Sequence, residues 1–324
     1  MIVNYPRMKR RVKGWPDDLD TVLEFSSANP FSISAPKNWD GKLEYTNGSG
    51  WKMWDGSAIA SGEIEKNHYI YLRGTGNSKI TGTTSSSVKW SIIGTNIACN
   101  GDIDLLLDYS TVKNGNRPAM ASYCYSNMFQ GCTSLTAAPS LPATTLASYC
   151  YYYMFYGCTS LTAAPSLPAT TLANNCYNSM FQGCTSLTTA PSLPATTLAS
   201  NCYYYMFYGC TSLTTAPSLP ATTLANNCYN SMFYGCTSLT TAPSLPATTL
   251  KTNCYNSMFY LCTKIKLSTT ASGTYTKSYR IPKNGTGTTA SGALVYMFGN
   301  TGGTFNGAPK INTTYYLDES NTIV

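Results

Sequence analysis

Charged residues are scarce in this sequence and absent from its middle. Asp, Glu, Lys and Arg make up 11% of the 324 residues, against roughly 25% in an ordinary soluble domain. None of them, and no His, occurs in residues 118–250. General acid–base catalysis needs a titratable side chain with a tuned pKa, and this region offers only Cys and Tyr. The sequence therefore predicts that the protein is not an enzyme.

Histidine, long apolar runs and a secretion signal are also lacking. With His68 as the single histidine, a His-rich metal site cannot be built, and we expect neither a metal nor a cofactor. No stretch approaches the ~20 apolar residues of a membrane-spanning helix, so no membrane insertion is expected. The first residues lack the apolar run of a signal peptide, so we expect a protein that is made and kept in a cytoplasm, or that leaves by lysis rather than secretion. In that reducing compartment the 13 cysteines would be free thiols.

The sequence contains instead a repeat of 26 residues. Twelve cysteines follow it in two series, which are Cys124, Cys150, Cys176, Cys202, Cys228 and Cys254, and Cys132, Cys158, Cys184, Cys210, Cys236 and Cys262. Residues 200–225, SNCYYYMFYGCTSLTTAPSLPATTLA, are a typical unit, and six units start at Ser122, Ser148, Asn174, Ser200, Asn226 and Thr252. A period of 26 is within the range of leucine-rich repeats. Stacked units of this kind bury ladders of apolar side chains that a single unit cannot bury.

Each unit is predicted to contain one helical and one extended segment. The Cys-Tyr-x-x-Met-Phe segment has helical spacing and ends on a glycine such as Gly157 or Gly209, a residue favoured just past a helix end. The Leu-Thr-Thr-Ala-Pro-Ser-Leu-Pro segment predicts a very short strand, because its prolines lack hydrogen-bond donors. The predicted fold class is therefore an α/β repeat, a leucine-rich-repeat solenoid over residues 122–262.

The cysteines are predicted to be packing residues rather than ligands or nucleophiles. Zinc and redox sites use closely paired cysteines such as C-x-x-C, which this spacing does not provide. Residues 290–316 align as a divergent seventh unit, in which Ala293 and Thr301 replace the two cysteines. Small residues at the aligned positions indicate that the cysteines there have a packing role. Because stacked strands are about 5 Å apart, disulfides between neighbouring units stay possible at this point.

The unit CYxxMFxGCTSLTxAPSLPATTLA resembles the BspA-type leucine-rich repeats, also called the Treponema pallidum type, of gut Bacteroidetes and their phages. Segments outside the repeats, such as YIYLRGTGNSKITG at 69–82 and GDIDLLLDYS at 101–110, are similar to sequences that accompany these repeats. The resemblance covers roughly residues 40–320. It implies a surface adhesin or a tail-type or fibre-type protein that binds hosts, and it implies no catalytic residues.

The rest of the chain divides into a tail, a small domain and two caps. Residues 1–20 are predicted to be a basic tail or docking peptide. Residues 21–95 contain short aromatic and β-branched runs separated by turn signals, which predict a small all-β, sandwich-like domain. Residues 96–121 are expected to cap the start of the solenoid, and residues 263–324 its end, because terminal repeats are atypical and more polar.

Tyrosines vary between units while the apolar columns stay fixed, which predicts that they face outward. The predicted binding residues are Tyr152, Tyr153, Tyr156, Tyr204, Tyr205, Tyr208, Tyr234 and Tyr260. Exposed Tyr among Asn, Ser and Thr is typical of binding surfaces, since it gives a large rigid contact area at a small entropic cost. Without charges, a neutral glycan is a natural partner, although duplication of a 52-residue unit with merely solvated Tyr would produce the same pattern.

The basic tail offers a second candidate interaction site. It contains Arg7, Lys9, Arg10, Arg11, Lys13 and Trp15. Phosphate contacts with nucleic acid are one interpretation, but docking on another virion protein or a solvated tail is preferred, and no nucleic-acid partner is expected.

These observations predict a non-enzymatic phage virion appendage, of fibre or tail-tip type, that presents the solenoid for host-surface attachment. Its expected partners are a host cell-surface glycan or protein, other virion proteins through the tail, and further copies of itself. Several copies would raise a weak affinity by multivalency. The alternatives are a secreted or surface-anchored Bacteroidetes adhesin and a purely structural capsid or tail decoration protein.

Overall fold

The computed structural model describes residues 15–16, 19, 21–36, 41–48, 50–81 and 89–324. Within these ranges the chain forms one helix and fifteen short strands. In chain order they are β1 Leu23–Ser27, β2 Ser32–Ser34, β3 Leu43–Thr46, β4 Lys52–Trp54, β5 Ile59–Ala60, β6 Gly62–Ile64, β7 Asn67–Gly74, β8 Ser91–Ile93, β9 Ile97–Asn100, α1 Leu105–Lys113, β10 Leu135–Ala137, β11 Thr241–Ala242, β12 Leu267–Ser268, β13 Tyr275–Arg280, β14 Thr314–Asp318 and β15 Thr322–Ile323.

The N-terminal strands form two sheets with a common hydrophobic core. The larger sheet has the order β10-β9-β1-β7-β3-β4, with β6 also paired to β7, and the smaller has the order β5-β2-β8. Phe25 of the first sheet and Ile33 of the second are fully buried in the same core. Trp54 and Trp90 make an edge-on contact there, with ring centroids 5.2 Å apart.

The larger sheet continues directly into the repeats. Its outer strand β10 belongs to the first unit and pairs in parallel with β9. On the other side of the first unit, the N–H groups of Ile80 and Trp90 donate to the carbonyls of Cys124 and Met128 at 3.2 and 3.0 Å. The N-terminal strands and the repeats therefore share backbone hydrogen bonds on two sides of the first unit.

Adjacent units are held together mainly by a ladder of tight turns. In the fourth unit the N–H groups of Asn201, Tyr203, Tyr205, Phe207 and Gly209 each donate to a carbonyl of the fifth unit, at 2.8–3.0 Å. The N–H groups of the intervening residues each donate to the carbonyl three residues earlier. Every neighbouring pair of units repeats this pattern, with five backbone hydrogen bonds from the turn segment across each boundary. The turn segment is thus bonded alternately within its own unit and to the next one.

The predicted helix in the Cys-Tyr-x-x-Met-Phe segment is wrong, and this ladder is the reason. An α-helix directs every N–H to the carbonyl four residues earlier in the same segment. Here half of the N–H groups bond to the neighbouring unit, which an α-helix cannot do. The three-residue and four-residue spacing of apolar side chains is compatible with successive turns as well as with a helix. The repeat is therefore made of turns and short extended segments.

A left-handed residue recurs at every fourth position of the turn segment. In the fourth unit these are Asn201 with φ +54°, Tyr205 with φ +55° and Gly209 with φ +70°. Left-handed backbone is easy for Gly, tolerable for Asn and costly for other residues. The glycine predicted to end a helix is thus one of three regularly spaced left-handed positions, and the N–H of each donates to the neighbouring unit while the N–H of the residue after it donates within its own unit.

The extended segments contribute fewer and less regular bonds. The N–H groups of Thr188, Thr214 and Thr240 each donate to the threonine carbonyl of the preceding unit, at 3.0–3.4 Å. The Ala-Thr-Thr-Leu segments add three bonds between the first two units and three between the third and fourth. Of the predicted Leu-Thr-Thr-Ala-Pro strands, only those of the first and fifth units form β-strands among the described residues. The prolines of each unit explain this weak pairing, because they have no N–H to donate.

Identical side chains stack along the interior. The buried rings of Tyr125, Tyr151, Tyr177, Tyr203, Tyr229 and Tyr255 follow each other at centroid distances of 5.6–5.8 Å, nearly parallel. A second ladder runs from Phe129 to Phe298 at 5.2–5.7 Å. The spacing of the units is therefore fixed both by backbone hydrogen bonds and by ring contact.

Residues 291–299 continue the turn ladder after the sixth unit. Tyr255 donates its N–H to the carbonyl of Ala293 and Phe259 to that of Met297, at 3.0 and 2.8 Å. On the extended side, β15 pairs in parallel with β11 of the fifth unit. A three-stranded sheet in the order β12-β14-β13 completes this end.

A buried carboxylate joins the N-terminal strands to the first unit. Asp104 is 1% exposed, and its Oδ1 accepts a 3.0 Å hydrogen bond from the Tyr125 hydroxyl. Its Oδ2 lies 3.4 Å from Nη1 of Arg117, which also pairs with Asp102. Burial and the neighbouring Asp102 raise the pKa of Asp104 to about 6. The charged form is therefore disfavoured in the folded protein relative to the unfolded chain.

Substitution at a left-handed position will test the ladder. We expect Asn201→Val to lower the free energy of unfolding by about 1–2 kcal/mol, because a β-branched residue resists this conformation. Asn201→Gly will be neutral or slightly stabilising. Thr211→Val, at an exposed residue outside the left-handed positions, is the matched control. Urea unfolding measures all three, and equal effects of the two valines would contradict the assignment.

The buried carboxylate predicts a specific pH dependence. The folded state binds the proton of Asp104 more tightly than the unfolded chain, where the pKa is about 3.9. Stability should therefore fall as the pH rises from 4 to 6 and then level off, by at most about 3 kcal/mol from this group. Unfolding measured at several pH values should show this slope, and Asp104→Asn should remove it. An unchanged slope in the variant would refute the assignment to Asp104.

Candidate functional site

The two cysteine series lie inside the stack as free thiols. All 13 cysteines are buried and unpaired with one another. In the second series the thiols of the second to sixth units each donate to the phenylalanine carbonyl of the preceding unit, as from Cys158 to Phe129 at 3.1 Å and from Cys262 to Phe233 at 2.9 Å. Cys132 of the first unit donates instead to the carbonyl of Trp90 at 3.8 Å. Thr301 of the seventh unit also donates to a phenylalanine carbonyl, that of Phe298, at 3.0 Å. The cysteines thus fill the core and add a sulfur ladder to the backbone bonds.

Burial also makes these thiols unreactive. It raises the pKa of Cys254 to about 11 and that of Cys184 to about 12, and shifts the others in the same direction. The nucleophilic and metal-binding form of cysteine is the thiolate, which is nearly absent here at neutral pH. No three His, Cys, Asp or Glu side chains in the described parts of the chain are grouped so that they could hold a metal ion.

The eight predicted binding tyrosines are all half-exposed. They lie on the turn side of the stack, in three columns. Tyr152 and Tyr204 share one column. Tyr153 and Tyr205 share the second, and the third contains Tyr156, Tyr208, Tyr234 and Tyr260. Since the interior tyrosine ladder fixes the unit spacing at 5.6–5.8 Å, these side chains form contiguous groups rather than isolated rings.

The first group, here called the first tyrosine cluster, covers the first two units. It comprises Tyr123, Tyr149, Tyr152, Tyr153 and Tyr156. Tyr123 and Tyr149 stack at 4.5 Å, and the other rings contact each other edge-on at centroid distances of 4.2–5.6 Å.

The second tyrosine cluster covers the fourth to seventh units. It comprises Tyr204, Tyr205, Tyr208, Tyr234, Tyr260 and Tyr296. Tyr208, Tyr234 and Tyr260 stack at 4.6 and 4.9 Å. Stacked rings cover each other's faces, so this part of the surface offers ring edges and hydroxyls to a ligand. The outermost ring, Tyr296, is 62% exposed.

Small polar residues separate the clusters at the third unit. Asn178, Ser179 and Gln182 stand where the flanking units carry tyrosines. The Ser179 hydroxyl donates to Asn178 at 2.8 Å, and the amide of Asn178 donates to Asn175 at 3.0 Å. The same Ser-to-Asn hydrogen bond is present in the fifth and sixth units. These Asn-Ser pairs bond to each other, and the two tyrosines of each Tyr-Tyr pair also share a side-chain hydrogen bond.

Several surface tyrosines occupy the left-handed positions. Tyr123, Tyr149, Tyr153, Tyr205 and Tyr296 have φ between +52° and +64°. Other units carry Asn or Ser there, as at Asn201 and Ser231. A bulky residue in this conformation costs of order 1–3 kcal/mol and is a recognised mark of functional sites. The tyrosines thus occupy positions where backbone conformation alone would favour another residue.

The hydroxyls of Tyr152, Tyr204 and Tyr234 stay protonated at neutral pH. Burial and neighbouring hydroxyls raise the pKa of Tyr152 and Tyr204 well above the usual value of tyrosine, and that of Tyr234 is also raised. The surface is therefore neutral and consists of hydroxyls that can both donate and accept. Such a surface recognises hydroxyl-bearing or amide-bearing ligands rather than ions.

Sequence reasoning missed three members of the clusters, Tyr123, Tyr149 and Tyr296. The first two were recognisable by the rule used for the others, because their column changes to Asn175 and Asn201 in later units. Tyr296 was recognisable only after the seventh unit was aligned through Met297 and Phe298. Its exposure depends on its place at the end of the ladder, which the sequence does not display.

The predicted tail site is only partly described. Trp15 packs edge-on against Tyr71 of β7, with ring centroids 5.5 Å apart, so its ring contacts the N-terminal sheet. Arg7, Lys9, Arg10, Arg11 and Lys13 lie outside the described residues. Docking by the tail stays a prediction. In the described ranges no helix has the length and hydrophobicity required to cross a membrane.

The stacked turn units define a repeat protein of the leucine-rich class. Six copies of the BspA type leucine rich repeat region match the chain, over residues 108–216 and 199–281. These ranges cover more than half of the sequence, so the chain belongs to this family, and the resemblance seen in the sequence is confirmed. Neither the curated proteins nor the solved structures gave a match.

Alkylation will test the sulfur ladder. At pH 8 we expect the native protein to resist thiol alkylation, because a pKa of 11 leaves only about one thiolate in a thousand. After unfolding without reductant, mass spectrometry should show 13 modified cysteines. Rapid labelling of the native protein, or fewer modifications after unfolding, would show that the thiols are exposed or oxidised.

Proposed function

We propose that this protein is a non-enzymatic phage virion appendage, of fibre or tail-tip type, that attaches to the host surface through its tyrosine clusters. The observation that carries the proposal is the placement of tyrosine in left-handed backbone at Tyr153, Tyr205 and Tyr296, where the other units have the smaller residues Asn or Ser. A bulky residue in this conformation in three of the seven units is explained by a contact outside the protein.

Family membership supports the coarser part of this role, a repeat-based adhesion or surface protein. The finer part, a virion location, is supported by the buried free thiols. Cysteines without disulfides are typical of proteins that fold in a reducing compartment, as virion components do inside a host. A secreted or surface-anchored Bacteroidetes adhesin, the main alternative, would fold in an oxidising one.

The proposed partner is a neutral host polymer, either a glycan or an uncharged protein surface. Residues 118–250 carry no charge, so long-range attraction cannot contribute in this region. Attachment would depend on contacts with tyrosine edges and hydroxyls, each of modest strength. Two clusters on one chain, multiplied by several chains on a particle, would raise the overall affinity by multivalency. Further copies and other virion proteins are therefore proposed partners as well.

A swap within the repeat itself tests the attachment surface. Tyr152-Tyr153 and Tyr204-Tyr205 are replaced together by the Asn-Ser pair of the third, fifth and sixth units. The fold accommodates this pair at the same backbone positions, so the variant should fold. We expect binding of the labelled full chain to Bacteroidetes host cells to fall at least tenfold.

The control carries Thr196→Ser and Thr222→Ser, at exposed residues of the Ala-Thr-Thr-Leu segments. It should bind like the unchanged chain. Equal binding of all three proteins would refute the tyrosine clusters as the attachment surface. If the unchanged chain is present in purified particles but binds no host cell, the protein is a decoration protein instead.

A further inference from the structure

A cavity of about 390 Å³ opens beside the buried Asp104, between the N-terminal cap and the first unit. Asp104, residues 117–120 and residues 143–147 line it. This volume falls in the range of small-molecule sites, which combine apolar walls with a few fixed polar groups. None of the tyrosines of the proposed attachment surface lines it.

The polar groups of this cavity are held in place before any ligand enters. Asp104 is fixed by the Tyr125 hydroxyl at 3.0 Å and by Arg117. Arg117 is also held by the carboxylate of Asp102, which accepts a 2.9 Å bond from the N–H of Asp104. A site that is ordered in advance loses little entropy on binding.

The charges of the site favour a neutral ligand. The Asp102 and Asp104 carboxylates disfavour an anion, and the Arg117 guanidinium, about half exposed at 49%, disfavours a cation. Both carboxylates are already paired with this guanidinium. The remaining N–H groups of Arg117 can bond to hydroxyls, as can the exposed Thr144 and Thr145.

The lining also has an apolar part. It includes Met120, Ala143, Leu146 and Ala147, and Leu146 is 6% exposed. A ligand that fits this lining therefore presents both hydroxyls and C–H groups. A pyranose ring has this distribution, because its hydroxyls point outward around the ring while its two faces are made of C–H groups.

The cavity also borders the attachment surface. Met120 precedes Tyr123 by three residues, and Ala147 precedes Tyr149 by two, so the rings of the first tyrosine cluster begin within about 10 Å along the chain. A polymer lying along this cluster could place its end in the cavity.

We infer that this cavity binds a single neutral sugar unit, the terminal monosaccharide of the glycan to which the protein attaches. The inference rests on the proposed attachment function and specifies its ligand as a glycan end. The cavity would select the terminal sugar, and the tyrosine clusters would contact the rest of the glycan.

Saturation-transfer NMR with the full chain tests this inference. The probes are glucose, galactose, mannose, N-acetylglucosamine and fucose, with glucuronate and glucosamine as charged counterparts. We expect saturable binding of at least one neutral sugar, and at least tenfold weaker binding of the charged ones. No binding of any neutral sugar, or preferred binding of a charged one, would overturn the inference.

Two variants locate the binding. Ala119→Trp, at an exposed residue of the cavity wall, fills the space without altering the buried carboxylate and should weaken sugar binding at least tenfold. Thr144→Val, which removes one hydroxyl, should weaken it severalfold. Unchanged binding in Ala119→Trp, with unfolding at the same denaturant concentration as the parent, would refute the cavity as the site.

The tyrosine-swap variant separates the two proposals. It should bind the monosaccharide within twofold of the unchanged chain, because its substitutions lie outside the cavity. Loss of sugar binding in this variant would refute the cavity. Sugar binding that persists while the swap leaves cell attachment unchanged would sustain the cavity and refute the tyrosine surface.

Discussion

The turn ladder is the interaction on which the rest of this structure depends. Five N–H groups of each unit must reach carbonyls of the next, and a left-handed residue at every fourth position makes this possible. The ladder has a direction, because N–H groups face the following unit and carbonyls the preceding one. The first unit consequently needs donors in front of it, which Ile80 and Trp90 provide. This explains why the N-terminal strands are joined to the repeats rather than tethered by a linker.

The same constraint determines which residues can vary. Columns that face the core repeat Cys, Tyr, Met, Phe and Leu without change, because each side chain stacks on its own copy about 5.7 Å away. Columns on the turn side contact solvent and accept Asn, Ser or Tyr. Their left-handed backbone nevertheless favours Asn and Gly. A Tyr there must be held by something beyond local preference, and for this reason the conformation of Tyr153 and Tyr205 says more about function than their exposure does.

The period, the columns and the family could be predicted from the sequence, whereas the helix could not be distinguished from a ladder of turns. Periodicity reports which residues share a face, and a Cys-Tyr-x-x-Met-Phe segment has the same faces in both arrangements. The helix and the ladder differ in which carbonyl accepts a hydrogen bond from every second N–H group. In the ladder that carbonyl belongs to the neighbouring unit. A sequence signal did exist: Asn201, Tyr205 and Gly209 are four residues apart, and Asn and Gly in such a series favour left-handed backbone. The cavity beside Asp104 combines residues 104, 117–120 and 143–147, so no local pattern could have indicated it.

The absence of charge in the repeats follows from the same architecture. A residue in a turn-side column has identical or similar neighbours on both sides at the spacing of the units. Like charges about 5–6 Å apart would repel each other at every boundary, and alternating charges would require adjacent units to differ. Tyrosine, asparagine, serine and threonine stack on their own copies without this cost. A surface built by duplication is therefore driven toward neutral side chains. Charged residues lie outside residues 118–250, and there Asp104 and Arg117 form an ordered, asymmetric site that the repeats themselves do not provide.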